Sequence, residues 1–213
     1  MATGNPTTIR ESEDALFSNW QGRECYVKSF VMDGVVDQDE WQTQETHVLF
    51  LLKEANGENW NGDLRTFLHK GGKGQTWNNI ARWACGIISG YAFSNADAAA
   101  NERTKWLRKI AVVNVKKAGG RSYTDTKSFN EFYLKTEGYR LLAEQLSLYD
   151  NLDYIICCCA GVKKCLDKAL KEESLKNVWS SSKPIMIDFH HPQSRIKKSK
   201  LFTELMSKIA TSQ

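Results

Sequence analysis

The sequence predicts an α/β protein: three layers, α/β/α, around a central four-stranded parallel sheet. Two observations carry that prediction. Four short apolar runs, at 47–53, 109–115, 152–158 and 184–189, are continuous rather than alternating, as in strands covered on both faces. Segments with helical spacing separate them, and strands alternating with helices argue for a parallel sheet. The chain, at 213 residues with 41% hydrophobic, 25% charged and 3 proline residues, has the composition of one ordinary domain spanning 1–213. That composition excludes a collagen-like, a disordered or a disulfide-dense chain.

Residues 1–8 read as a loose polar tail. Residues 9–20 suit a short helix with Ile9, Leu16 and Trp20 on one side. Nothing distinguishes 24–45. The first strand, 47–53, runs into Glu54, Ala55, Asn56 and Gly57, and the Gly-, Asn- and Lys-rich stretch 56–75 reads as a loop. Apolar residues at 77, 80, 81, 84, 87 and 88 predict a helix over 76–89, and a second helix is expected over 95–107, capped by Ser94 or Asn95. The second strand ends near Asn114, before the cation-rich glycine turn Lys116-Lys117-Ala118-Gly119-Gly120-Arg121. A long helix is expected over 128–148, with Ser128 and Glu131 as a capping box. The third strand leads into a helix over 161–171. The fourth is followed by His190-His191-Pro192-Gln193 and a final helix over 199–210.

No apolar run approaches the roughly 18 residues of a membrane span, and the N-terminus lacks the apolar block of a signal peptide. The expectation is an intracellular protein, cytoplasmic or nuclear in a eukaryote, with no membrane partner and as a monomer. Its six cysteines are then reduced thiols. Cys157, Cys158 and Cys159 are consecutive, so neighbours point to opposite faces of a strand; they are read as small buried hydrophobes. Neither a Cys-x-x-Cys nor a His-x-x-x-His pair is present, so no zinc, and no cofactor of any kind, is expected. The net charge of +4 is unevenly spread. Residues 1–60 carry 4 basic and 11 acidic side chains, and the remainder 25 and 14. Such an asymmetry suits a basic face for a polyanion.

In an open parallel sheet ligands bind beyond the carboxyl ends of the strands. There this sequence puts a carboxylate (Glu54), an amide (Asn114) and an imidazole (His191). Four segments at those strand ends carry a resemblance. Leu52-Lys53-Glu54-Ala55-Asn56-Gly57 resembles the first motif of the uracil-DNA glycosylase superfamily, nearest to its Gly-Glu-Ala-Pro-Gly form. Ile110 to Lys117 resembles the second strand, with its base-reading Asn and basic loop. Asp153 to Val162 is similar to the third strand and the glycine-led helix after it. Phe189-His190-His191-Pro192-Gln193-Ser194 resembles the His-Pro-Ser motif. Lys53 stands where that family has glycine, Asn56 where it has proline and Gln193 where it has serine. Ile196 is the one apolar candidate for a wedge, and the iron–sulfur cysteines of the Gly-Glu-Ala-Pro-Gly branch are missing.

The resemblance implies the superfamily's fold and a monofunctional DNA N-glycosylase of base excision repair, a hydrolase acting on uracil or a related damaged or modified base flipped out of single- or double-stranded DNA. Glu54 would stabilise the sugar cation and activate water, and His191 would donate to the departing base. Asn114, with Ala55, Asn56 and Trp77, would bind the base, Trp60 and Phe67 being further candidates for an aromatic platform. Lys116, Lys117, Arg121, Gln193, Ser194, Arg195, Lys197 and Lys198 would meet the DNA backbone. A catalytically inactive nucleic-acid binder of the same fold, and a hydrolase of nucleoside or nucleotide N-glycosides, stand as alternatives.

Overall fold

The structure is a computed structural model, and it describes residues 8–98, 100–120, 126–172, 175, 179 and 183–212. The four expected strands form as β3 (Val48–Asn56), β5 (Ala111–Gly120), β6 (Tyr154–Cys158) and β7 (Ile185–Phe189), all parallel. The sheet has five strands rather than four. Two short strands lie in the undistinguished stretch 24–45, β1 (Val31–Met32) and β2 (Gly34–Val35), and β2 joins the edge antiparallel to β5. The order is β2-β5-β3-β6-β7, so β3 lies at the centre with its two successors on either side. That is a topological switch point, where the crevice beyond the strand ends is open to a ligand.

Side-chain alternation divides the core. Phe50, Leu52 and Val112 face one layer, made with α3 (Leu64–His69), α4 (Gln75–Ser89), α6 (Arg103–Arg108) and α10 (Lys198–Ala210). Leu49, Leu51, Val113 and Val115 face the other, where α7 (Thr126–Lys135), α8 (Gly138–Leu146) and α9 (Val162–Ala169) lie. Cys157 and Cys158 enter opposite cores, and burial pushes both thiols up.

Several boundaries move. Residues 1–7 lie outside the described residues, while Thr8 caps α1 (Ile9–Gln21) in a capping box with Glu11. The loop expected over 56–75 contains β4 (Gly62–Asp63), which pairs with β1, and α3, whose cap is Asp63. The helix expected over 95–107 is two, α5 (Phe93–Ala98) and α6. The one expected over 128–148 is also two: α7 begins at Thr126, so Ser128 is inside it and no N-cap. Glu137, in the left-handed region at φ 55°, breaks the run before α8. The cationic glycine turn is not a turn at all. Residues 116–120 continue β5, and Gly57 N–H donates to Gly120 O at 2.8 Å.

The N-terminal elements are held by buried charge. Glu13 on α1 is fully buried; it accepts from Val35 N–H at 2.9 Å, Tyr149 O–H at 2.6 Å and Arg65 at 2.7 Å. Arg65, equally buried, also donates to Asp14 and to Asp63. α2 (Gln38–Gln42), capped by Asp37, follows β2 and brings Trp41 into the second core.

Candidate functional site

A cavity of about 500 Å³ opens over the C-terminal half of β3 and the middle of β5. Leu52, Glu54 and Asn114 share the sheet face that looks toward α4, because Leu52 lies opposite Asn114 and Glu54 opposite Lys116 in the parallel register. The wall includes Lys53, Glu54, Ala55, Asn56, Asn114 and His191, together with Trp60, Phe67 and Trp77. The cavity therefore gathers Glu54, Asn114 and His191, and every residue expected to bind the base.

Glu54 is 6% exposed in its side chain and accepts from Lys116 Nζ at 2.6 Å. Its carboxylate lies against the backbone of β5; a Cβ on Gly120 would stand 2.1 Å from the Glu54 carboxyl carbon. Glycine at 120 is what lets the carboxylate reach this position.

Asn114 is buried where β5 loses its neighbour. β2 pairs with β5 only at Ala111 and Val112, so beyond them the outward N–H groups of β5 need other partners. Asp33, just ahead of β2, supplies one: its Oδ2 accepts from Asn114 N–H at 2.7 Å and from Asn114 Nδ2 at 3.1 Å. Asn114 Oδ1 is buried and has no hydrogen-bond partner among the described residues.

His191 sits after β7, exposed at the cavity mouth. Gln193 N–H donates to its Nδ1 at 3.0 Å. A backbone N–H can only donate, so Nδ1 is an acceptor and the neutral ring carries its proton on Nε2. Partial desolvation of this otherwise exposed ring, with the nearby Lys53 charge second, pushes the imidazole below its ordinary value of 6.5. The turn is anchored from α4: Asn79 Nδ2 donates to Pro192 O at 2.6 Å, Arg82 donates to Asn79 Oδ1 at 2.6 Å, and Arg82 is paired with Asp97. His190 is turned away, paired with Glu204 of α10 at 3.1 Å.

Trp60, Phe67 and Trp77 form an edge-to-face row with ring centres 6.5 and 6.4 Å apart. Trp77 is half-buried, on the first turn of α4, and lines the cavity rather than vanishing into the core.

The expected backbone-contacting residues divide. Arg195 and Lys197 are exposed on the segment before α10, Gln193 is exposed and lines the cavity, and Ser194 closes the turn through its N–H to His191 O at 2.8 Å. Lys117 is a correction. It is 1% exposed, salt-bridged to Asp33 and donating to Gln145 at 2.6 Å, because β5 continues and turns this residue inward. Lys116 turns inward too, onto Glu54, and Lys198 pairs with Asp97 at 2.8 Å. Gly119 N–H is taken by Ser29 Oγ at 2.9 Å. Ile196 packs against the first core instead of projecting as a wedge. Arg121 lies outside the described residues.

Sequence reasoning missed Asp33, Asn79 and Gln145, polar residues with partners remote in the chain, and Arg82, which holds Asn79 from one helical turn away. Among the described residues no group of three or more His, Cys, Asp or Glu is placed to hold a metal ion, and no helix is long and apolar enough to cross a membrane. No family model matches the chain. Neither a curated protein nor a solved structure matches it either.

Proposed function

We propose that this chain is a monofunctional DNA N-glycosylase, hydrolysing the N-glycosidic bond of uracil or a related damaged or modified base extruded from DNA. One observation carries the proposal: Glu54 near the end of β3, Asn114 within β5 and His191 just after β7 line a single cavity. Its volume of about 500 Å³ falls within the range for small-molecule sites.

Cleavage of the bond leaves positive charge on the sugar and negative charge on the departing base. In this reading Glu54 stabilises the cation and orients water, as carboxylates do in glycoside hydrolysis. The Nε2–H of neutral His191 donates to the oxygen on which the leaving base gathers charge. Asn114 presents an acceptor to an N–H on the base edge. The Trp60, Phe67 and Trp77 row offers stacking, worth about 1–3 kcal/mol per base. Arg195 and Lys197, flanking the mouth, meet phosphates of the strand, and the partner is DNA.

A second reading, a catalytically silent nucleic-acid binder, is favoured by the Lys116 ammonium on the Glu54 carboxylate at 2.6 Å. Incubating the protein with oligonucleotides that each hold one modified base, and identifying free bases by mass spectrometry, separates the two. Release of a base supports the glycosylase. Salt-dependent binding without release of any base supports the silent binder.

A further inference from the structure

Asp33 lies outside the cavity lining, yet it is the residue against which Asn114 is set. Its carboxylate is 0% exposed and used on both oxygens: Oδ2 by Asn114 N–H and Nδ2, Oδ1 by Lys117 Nζ and by Gln145 Nε2 at 3.1 Å. Lys117 Nζ in turn donates to Gln145 Oε1, and Gln145 Nε2 lies 3.2 Å from Tyr149 Oη. Every neighbour of Asp33 in this cluster is a donor, so Asp33 is held as an acceptor. A carboxylate accepts and cannot donate. Turning the Asn114 amide over would put Oδ1 against it, two acceptors face to face in a buried setting.

We infer that Asp33 is a positioning residue that fixes the rotamer of the Asn114 amide, so that the cavity offers its ligand a permanent acceptor, Oδ1, and thereby selects a base with a ring N–H beside a carbonyl over one whose ring nitrogen carries a lone pair. The inference deepens the base-cleaving reading above and rests on it for the identity of the ligand. Asn114 Oδ1, which has no hydrogen-bond partner among the described residues and sits on a residue 1% exposed that lines the cavity, is the atom left for the ligand. The second Nδ2 hydrogen remains for the neighbouring carbonyl.

Free uracil and free cytosine are the probes, since they have nearly the same shape and differ at this edge. Affinities are read by NMR titration of the full chain. Wild type is expected to prefer uracil by about tenfold or more, as a buried acceptor facing a lone pair gains no hydrogen bond. The variant is Asp33→Ala with Lys117→Met, which removes the anchor and its buried counter-charge together. Its amide is free to rotate, and the uracil-to-cytosine ratio is expected to fall about tenfold, toward unity. A variant that weakens both bases in proportion, or a wild type that binds both alike or neither, overturns the inference.

A second measurement needs no variant. In wild type the Asn114 Nδ2 protons should exchange with solvent at least about tenfold more slowly than those of an exposed side-chain amide, with and without uracil. Fast exchange in the free protein overturns the inference even if the double variant fails to fold. The two readings also fail separately. Base release with an unchanged ratio in the variant leaves the glycosylase and removes the role of Asp33. A shifted ratio without base release from DNA leaves the role of Asp33 and removes the glycosylase.

Discussion

Glu54 and Lys116 face each other across adjacent parallel strands, carboxylate oxygen to ammonium nitrogen at 2.6 Å, with Gly120 of the same strand as Lys116 lying against the carboxylate. The pair holds the carboxylate in one place, and the missing side chain at 120 makes room for it. Gly120→Ala puts a methyl 2.1 Å from the Glu54 carboxyl carbon. A side chain yields to such a contact more readily than backbone does, so the fold should survive while the carboxylate moves. The expected result is a fall in base release of at least about tenfold, since small misplacements at a reacting centre are costly. Single-turnover kinetics and circular dichroism on the same sample check both halves.

His191 should work as a neutral imidazole. Its pKa is lowered first by partial desolvation and second by Lys53. Removing that cation with Lys53→Met should raise it toward 6.5, seen as a shift in the ring-proton titration by NMR. The sign for stability follows. With the folded value below the unfolded one, the unfolded chain binds more protons in the interval between them, so this group's contribution is complete above about pH 6.5 and is lost as the pH falls through the folded value. The acid loss should be smaller in Lys53→Met.

The His191 turn depends on a residue that touches no substrate. Asn79 donates to Pro192 O and is itself held by Arg82. Asn79→Ala should lower the rate of base release about tenfold while leaving affinity for the strand within about twofold, because it loosens the donor rather than the phosphate contacts. Equal losses in rate and affinity would assign Asn79 to binding instead.

Arg65 is the centre of the N-terminal ion cluster, 1% exposed and bonded to Glu13, Asp14 and Asp63. Arg65→Met leaves Glu13 buried without its cation, and loss of one partner of a buried pair costs about 3–5 kcal/mol. Urea denaturation should show an unfolding free energy lower by about that amount, seen as a lower midpoint with an unchanged slope.

The central sheet was legible because strands covered on both faces must be apolar throughout: 48–52 and 154–158 admit no other reading once helical stretches separate them. Glu54, Asn114 and His191 were legible as polar residues at the ends of such runs. The length of β5 was not. Lys116 and Lys117 look like a solvated turn until Glu54 and Asp33, remote in sequence, are brought opposite them. β2 was hidden for the same reason: two residues that pair only with Ala111 and Val112 leave no periodicity. The buried face of α1 is Glu13, Phe17 and Trp20, and a glutamate within it reads as a solvent position until Arg65 and Tyr149 surround it. The break at Glu137 has no sequence signal either, since glutamate rarely adopts positive φ.

The most direct measurement is base release from a labelled single-stranded oligonucleotide with one uracil, followed by alkali, for wild type beside Glu54→Gln and His191→Ala. Cleavage by wild type, with each variant slower by about 10²-fold or more, is the expected result. Wild-type cleavage that survives both substitutions would contradict the assignment of the site, and release of no base from uracil or from a panel of modified bases would contradict the enzyme.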